Sequence, residues 1–183
     1  MTEVSKLIKL FLAEAVSYEN FTFRDRGVVT SAYKKVLPDI WILLSELCRL
    51  NVQLPVEVFY KPGELTLDDI NLLKKAGTDA EFISLDVPIS SYALKPFFIK
   101  NSSFREVLWI DSDNFPIVNP EYLFSNPEYQ KKGSLFWRDY RNFRLTADVF
   151  SIFDIPENDS EEFESGQLLI NKANVAHSKG SFH

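Results

Sequence analysis

The sequence predicts an α/β fold: a mostly parallel, doubly wound sheet with helices on both faces. Three observations carry this. Strand-type and helix-type runs alternate from Gly27 to Ile110. The run Val107-Leu108-Trp109-Ile110 is continuously apolar rather than alternating, as in a central parallel strand covered on both faces. A chain of 183 residues, 45% apolar and 14% aromatic, is long enough for one substantial core and too short for two comfortable domains.

The elements follow in order. Val4, Leu7, Ile8, Phe11, Leu12 and Ala15 recur at helical spacing, which predicts an amphipathic N-terminal helix packed on the domain. Gly27-Val28-Val29-Thr30 is a short strand, and Ile40, Trp41, Leu44, Leu47 and Cys48 give residues 37–50 a helical period. Pro55 to Tyr60 is a second strand, ended by Pro62-Gly63. Thr66 to Asp69 has the S/T-x-x-D/E form of a helix start, and Gly77 after Ala76 is a helix stop. Glu81 to Leu85 is a third strand, Tyr92 to Ile99 a helix, and the run at Val107 a fourth strand. This order implies right-handed crossovers between parallel strands. Beyond it, Asn119-Pro120 to Phe124 reads as a helical turn, Pro127 and Gly133 as loop punctuation, and Leu135-Phe136-Trp137 as a short strand.

Composition excludes several function classes. A net charge of −6 and a pI near 5.0 disfavour a general nucleic-acid binder, which needs a basic face to neutralise phosphates. Cys48 is the only cysteine, so an internal disulfide and a Cys-based zinc site are impossible. No stretch approaches the ~20 apolar residues of a membrane span. Lys6 and Lys9 interrupt the N-terminal apolar pattern and no small-residue cleavage site follows, so the chain reads as soluble and without a signal peptide. Three N-x-S/T sequons, at Asn20, Asn101 and Asn158, are near the number expected by chance and assign no compartment.

The chemistry concentrates at Asp111-Ser112-Asp113. Two carboxylates one residue apart at a strand end can converge on a divalent cation that also holds a diphosphate, which points to sugar-nucleotide chemistry. Spacing alone is weak, since 12 Asp in 183 residues give roughly 0.8 such triplets by chance. The alternative is an acidic turn capping a strand. Context separates the two, because ligands in open α/β sheets bind at the carboxyl ends of the strands.

Further on, Arg138, Arg141 and Arg144 recur every three residues and read first as a solvated face, with an anion or acceptor contact as the functional alternative. Residues 156–164 are acidic and read as a surface loop. In Glu164-Ser165-Gly166-Gln167, the glycine permits close backbone approach to a ligand, flanked by a carboxylate and a neutral amide. Leu168 to Ile170 is the strand that holds them; alone, the segment reads as an acidic loop entering an edge strand.

The segments RGVVTSA, LPVEVFY, VLWIDSDNFPIVNPEYLF, GSLFWRDY and ESGQLLINKA, in this order and spacing, resemble the fungal-type α-mannosyltransferases of glycosyltransferase family 71. Those are Golgi enzymes that add α-1,2 and α-1,3 mannose to mannan and glycoproteins. The resemblance runs from about Arg26 to Lys172, and the long motif around the aspartates is its most specific part. It implies a GT-A, Rossmann-like sheet, a nucleotide-sugar donor that is GDP-mannose, Mn²⁺ or Mg²⁺, a glycan or glycoprotein acceptor, and retention of configuration. It implies one domain over residues 1–183, with 1–24 an N-terminal helix and lead-in, 26–113 a nucleotide-binding half and 114–183 an incomplete acceptor-side half. A Golgi lumen location would follow if a membrane anchor lies outside this chain.

Carried onto this sequence, the resemblance makes Asp113 the direct metal ligand and Asp111 a ligand of the metal or the ribose. Ser112, Thr30 and Ser31 would meet the nucleotide. Glu164, Ser165, Gly166 and Gln167 would border the donor sugar and acceptor, with Glu164 or Gln167 stabilising the oxocarbenium-like centre. Trp137 would be an acceptor-side wall and Asp139 a hydrogen-bond acceptor there. The chain departs from the family at Ala32-Tyr33-Lys34, where a Gly pair is usual, and at Val52, where a Cys is expected. It also ends at His183, before a segment that in relatives completes the site; His177 and His183 read first as solvated histidines, with substitution as metal ligands the functional alternative. Two other classes stay open: a non-catalytic nucleotide-sugar or glycan-binding remnant, and a metal-dependent diphosphate enzyme such as a nucleotidyltransferase.

Overall fold

The run Val107–Ile110 is apolar on both sides, and the structure covers both sides. The structure, a computed structural model, describes residues 22–87, 94–140, 150–151, 156–157 and 162–177. The N-terminal helix expected over Val4 to Ala15, Arg141, Arg144, the Asn20 and Asn158 sequons and His183 lie outside the described residues.

The described elements are β1 (Arg24–Ser31), α1 (Leu37–Arg49), β2 (Val56–Tyr60), α2 (Leu67–Leu73), β3 (Ala80–Ser84), α3 (Leu94–Asn101), β4 (Phe104–Ile110), α4 (Pro127–Lys132), β5 (Ser134–Arg138), β6 (Phe163–Asn171) and α5 (Lys172–His177). They build a six-stranded sheet in the order β3-β2-β1-β4-β6-β5. The first four strands in sequence are mutually parallel, as expected from the alternation of strands and helices. β6 then inserts antiparallel between β4 and β5, which makes the sheet mixed.

Each face has its own core. Val28, Val56, Val58, Leu108 and Ile110 pack with Ile40, Leu43, Leu44 and Leu47 of α1 and Leu73 of α2. Their immediate neighbours Val29, Phe59, Val107 and Trp109 turn to the opposite face and meet Phe98 and Ile99 of α3, with Phe59 and Phe98 stacked at 5.2 Å. This is why the strands read as continuous apolar runs: every residue of Val107–Ile110 faces one core or the other.

Helix ends follow local chemistry. Thr66 caps α2 through a reciprocal box with Asp69, and Lys34, which follows β1, lies 2.6 Å from the same carboxylate. Hydrogen bonds from Lys34 and Thr66 hold Asp69 down at about 2. Gly77, at φ 92°, ends the 3₁₀ turn that continues α2, as expected of a helix stop. The stretch from Pro127 to Gly133 is a correction: it forms α4 rather than a loop. Asn126 accepts from the Glu128 amide at 2.9 Å, Pro127 occupies the first turn and Gly133 closes the helix at φ 72°. Proline and glycine thus mark the two ends of a helix too short to show a period.

Gly27 has no room for a side chain, because a Cβ there would lie 2.3 Å from the ring of fully buried Phe104. Gly27→Ala should cost about 1–3 kcal/mol through overpacking between β1 and β4, read by chemical denaturation. Away from the carboxyl ends of the parallel strands, a buried polar group sits on the α3 face. Glu57 accepts from the Ser103 hydroxyl and amide, and burial pushes its carboxyl up. Lys172 donates to the carbonyls of Ser102 at 2.7 Å and Ile99 at 3.3 Å, and burial lowers its amine to about 8. Between about 8 and the ordinary 10.5, the unfolded chain holds a proton that the folded chain does not. Stability relative to Lys172→Met should therefore rise with pH across that window, as urea midpoints would show.

Candidate functional site

The site forms where the chain reverses direction across the sheet. From β1 the chain adds β2 and β3 on one side and then returns to place β4 on the other. The crevice at such a reversal lies at the carboxyl ends of the flanking strands, here β1 and β4. Val29 pairs with Trp109, so continuing that register brings Thr30 and Ser31 level with Ile110 and Asp111.

β4 sets the direction of Asp111. Trp109 faces the α3 side, and its buried indole N–H, which needs a partner, donates to Asp111 Oδ1 at 2.6 Å. From α3, Lys95 Nζ lies 2.9 Å from Asp111 Oδ1 and 3.0 Å from Oδ2, and also donates to the Ser165 carbonyl. Asp113 is exposed, and no hydrogen bond or ion pair engages its side chain among the described residues. Ser112 is half-buried between them, and the Asn114 amide closes the turn on the Asp111 carbonyl at 3.0 Å.

β6 brings the second expected segment against the first. The Asp111 amide donates to the Gly166 carbonyl at 2.7 Å, and Gln167 pairs with Ile110. On the β5 side the pairing jumps from Phe136–Leu168 to Trp137–Glu164, so Ser165, Gly166 and Gln167 have no partner on β5. This bulge, a device that re-aims side chains, lies beside the aspartate turn. Glu164 folds back so that Oε1 accepts from the Gly166 amide at 2.5 Å. A Cβ on Gly166 would sit 2.2 Å from Asn114 Nδ2, so the glycine is what lets the two segments touch.

The strand expected over Leu168 to Ile170 thus begins earlier, at Phe163, and it is interior to the sheet, unlike the edge strand of the alternative reading. β5 carries half-buried Trp137 opposite Glu164, and the Asp139 amide donates to the Glu162 carbonyl at 3.1 Å. Trp137 is thus joined to the site through β6, and Asp139 through Glu162 just before it. Arg138 is exposed. Thr30 is fully buried and its hydroxyl has no partner among the described residues, whereas Ser31 is half-buried and by alternation faces the side of Trp109 and Asp111.

Two contributors escaped the sequence reading. Lys95 lies 16 positions before Asp111, in a helix whose lysines would ordinarily be solvated. Asn114 enters the sequence reading only as one letter of the segment VLWIDSDNFPIVNPEYLF. Neither carries a local signal of its contact.

The oxygen chemistry suits a hard divalent cation in part. Asp113 presents a carboxylate not engaged by another described side chain, while the Asp111 carboxylate is shared by Lys95 and Trp109. Among the described residues there is no group of three or more His, Cys, Asp and Glu side chains that could hold a metal.

Comparison with known proteins gives the family. A family model described as "Mannosyltransferase putative" matches residues 25–165. Alpha-1,2-mannosyltransferase MNN22 of Candida albicans is 28% identical over 169 residues, covering 85% of this chain and 28% of that protein. Alpha-1,2-mannosyltransferase MNN2 of Saccharomyces cerevisiae is 25% identical over 198 residues, covering 82% and 33%. The chain thus spans about a third or less of the length of these relatives. Among solved structures, the galactosyltransferase LgtC with donor and acceptor sugar analogs superposes with a TM-score of 0.59 at 15% identity, over 82% of this chain and 59% of that one. That likeness shows the fold, which is GT-A.

Proposed function

This chain belongs to the mannosyltransferase family whose model matches residues 25–165, and from that premise we propose that it is a metal-dependent glycosyltransferase. Its reaction moves mannose from GDP-mannose to a glycan or glycoprotein acceptor with retention of configuration. The observation that carries this reading is the contact of two segments that lie far apart in the chain. The Asp111–Asp113 turn and the Glu164–Gln167 bulge meet at the reversal point, joined by the Asp111 amide and the Gly166 carbonyl.

In this reading Asp113 is the first protein ligand of Mn²⁺ or Mg²⁺, and Asp111, anchored by Lys95 and Trp109, shapes the second side of the cation position. Two carboxylates would leave the remaining positions of such an ion to water and donor oxygens. When bound, the cation neutralises charge developing on the leaving diphosphate. Ser112 and Ser31 border the nucleotide, and Thr30 supports that edge from beneath. Glu164 and Gln167 face the donor sugar, where a carboxylate or amide dipole stabilises an oxocarbenium-like centre. Ser165 and Gly166 border the acceptor, Trp137 forms its wall and Asp139 accepts a hydrogen bond from it. The proposed domain is a nucleotide-binding half over 26–113 with an acceptor-side half over 114–183. Its proposed compartment is the Golgi lumen; among the described residues no helix is long and apolar enough to cross a membrane.

The test is incubation of the purified chain with Mn²⁺ and a panel of nucleotide sugars, following binding, sugar release and transfer. GDP-mannose should bind only with the metal and be turned over. Metal-dependent binding without turnover would favour a non-catalytic binding module, and pyrophosphate exchange would favour a nucleotidyltransferase. Absence of metal-dependent nucleotide binding would sink the proposal.

A further inference from the structure

Lys95, which belongs to neither segment, touches both halves of the candidate site. It comes from α3, its side chain is 19% exposed, and its ammonium lies 2.9 and 3.0 Å from the two Asp111 oxygens while donating to the Ser165 carbonyl. Nζ also lies 5.4 Å from the centre of the Trp109 ring, whose N–H donates to the same carboxylate. A cation so enclosed is a poor candidate for an ordinary solvated lysine, since its freedom has been given up for fixed contacts. We propose that Lys95 is a positioning residue which ties Asp111 to the Ser165 backbone and serves as the internal counter-charge against which a divalent cation must compete.

The proposal deepens the glycosyltransferase reading and rests on it for the identity of the cation. Its physical content is a charge argument. An ammonium in contact with Asp111 neutralises one carboxylate of the pair, so the net attraction for a dication comes first from Asp113, which has no such partner among the described residues. The same ammonium draws the Ser165 carbonyl toward the aspartate turn, and so helps to set the distance between the cation position and the Glu164–Gln167 bulge. A lysine acting through two other groups in this way positions them without touching the reacting atoms.

The first experiment titrates Mn²⁺ alone into the folded chain, with free Mn²⁺ followed by electron paramagnetic resonance. Lys95→Met should bind Mn²⁺ about five- to tenfold more tightly than the wild type, because a positive charge next to the ligand pair is gone. Lys95→Arg should return to near wild-type affinity. The second readout needs no metal: exchange of the Asp111 amide, bonded to the Gly166 carbonyl, should quicken about tenfold in Lys95→Met and recover in Lys95→Arg. Buried amides of β1 should stay unchanged, which a general loss of stability would not allow. If Lys95→Met does not fold, Lys95→Gln gives the same affinity test with a donor kept for Ser165. Unchanged or weaker Mn²⁺ binding in a folded charge-removed variant would overturn the proposal while leaving the enzyme reading intact. Absence of Mn²⁺ binding in the wild type would remove the metal reading, and unchanged Asp111 exchange would then overturn the positioning role as well.

Discussion

Asp113→Ala is expected to abolish metal-dependent nucleotide binding and to lower sugar transfer by about 10³-fold, with almost no change in stability. The loss follows from removing the carboxylate that no other described side chain engages, where a bound cation supplies several kcal/mol of charge stabilisation and each 1.36 kcal/mol is tenfold in rate. The stability result follows from its exposure, since surface substitutions of this kind usually stay within about 0.5 kcal/mol. Asp111→Ala should differ in kind. It would leave Lys95 without its carboxylate and Trp109 without its acceptor, so thermal unfolding should shift as well as activity. Measuring transfer, nucleotide binding and melting temperature for both variants separates the cation ligand from the anchored partner. Equal melting losses for the two would contradict that division.

Gly166→Ala is the second large effect. Its Cβ would fall 2.2 Å from Asn114 Nδ2 and 2.7 Å from Glu164 Oε1, both of them side-chain ends that can move. The fold should therefore survive with a loss below about 1 kcal/mol. The site should not, because Asn114 and Glu164 must leave their places between the two segments. A displacement of about 1 Å in such a constellation can cost about 10²-fold in rate, and the loss should appear in kcat more than in the KM for the donor. Transfer kinetics with GDP-mannose, beside a denaturation curve, would check both halves. Full activity in Gly166→Ala would mean that the bulge lies outside the working site.

The legibility of this protein in its sequence varies by element. β2, β4 and α1 were plain because apolar period and length agree, and the Thr66 cap and the Gly77 stop follow from side-chain chemistry within a few residues. α4 was misread because Pro127 and Gly133 punctuate loops and bound helices alike, and six residues show no period. The Glu164–Gln167 segment is site-like in the sequence, but its place inside a strand is not legible there. Its insertion between β4 and β5 depends on two long-range pairings that no local pattern encodes.

The order of strands and helices, the both-sided burial of β4 and the candidate acid pair at its end were already written in the chain, because burial period, capping and turn chemistry act over a few neighbouring residues. The mixed sheet, the contact of Gly166 with Asn114 and Asp111, and the pairing of Lys95 with Asp111 arise only on folding. Each joins residues far apart in the chain, and its energy depends on distance and burial in space, quantities that spacing along the chain does not carry.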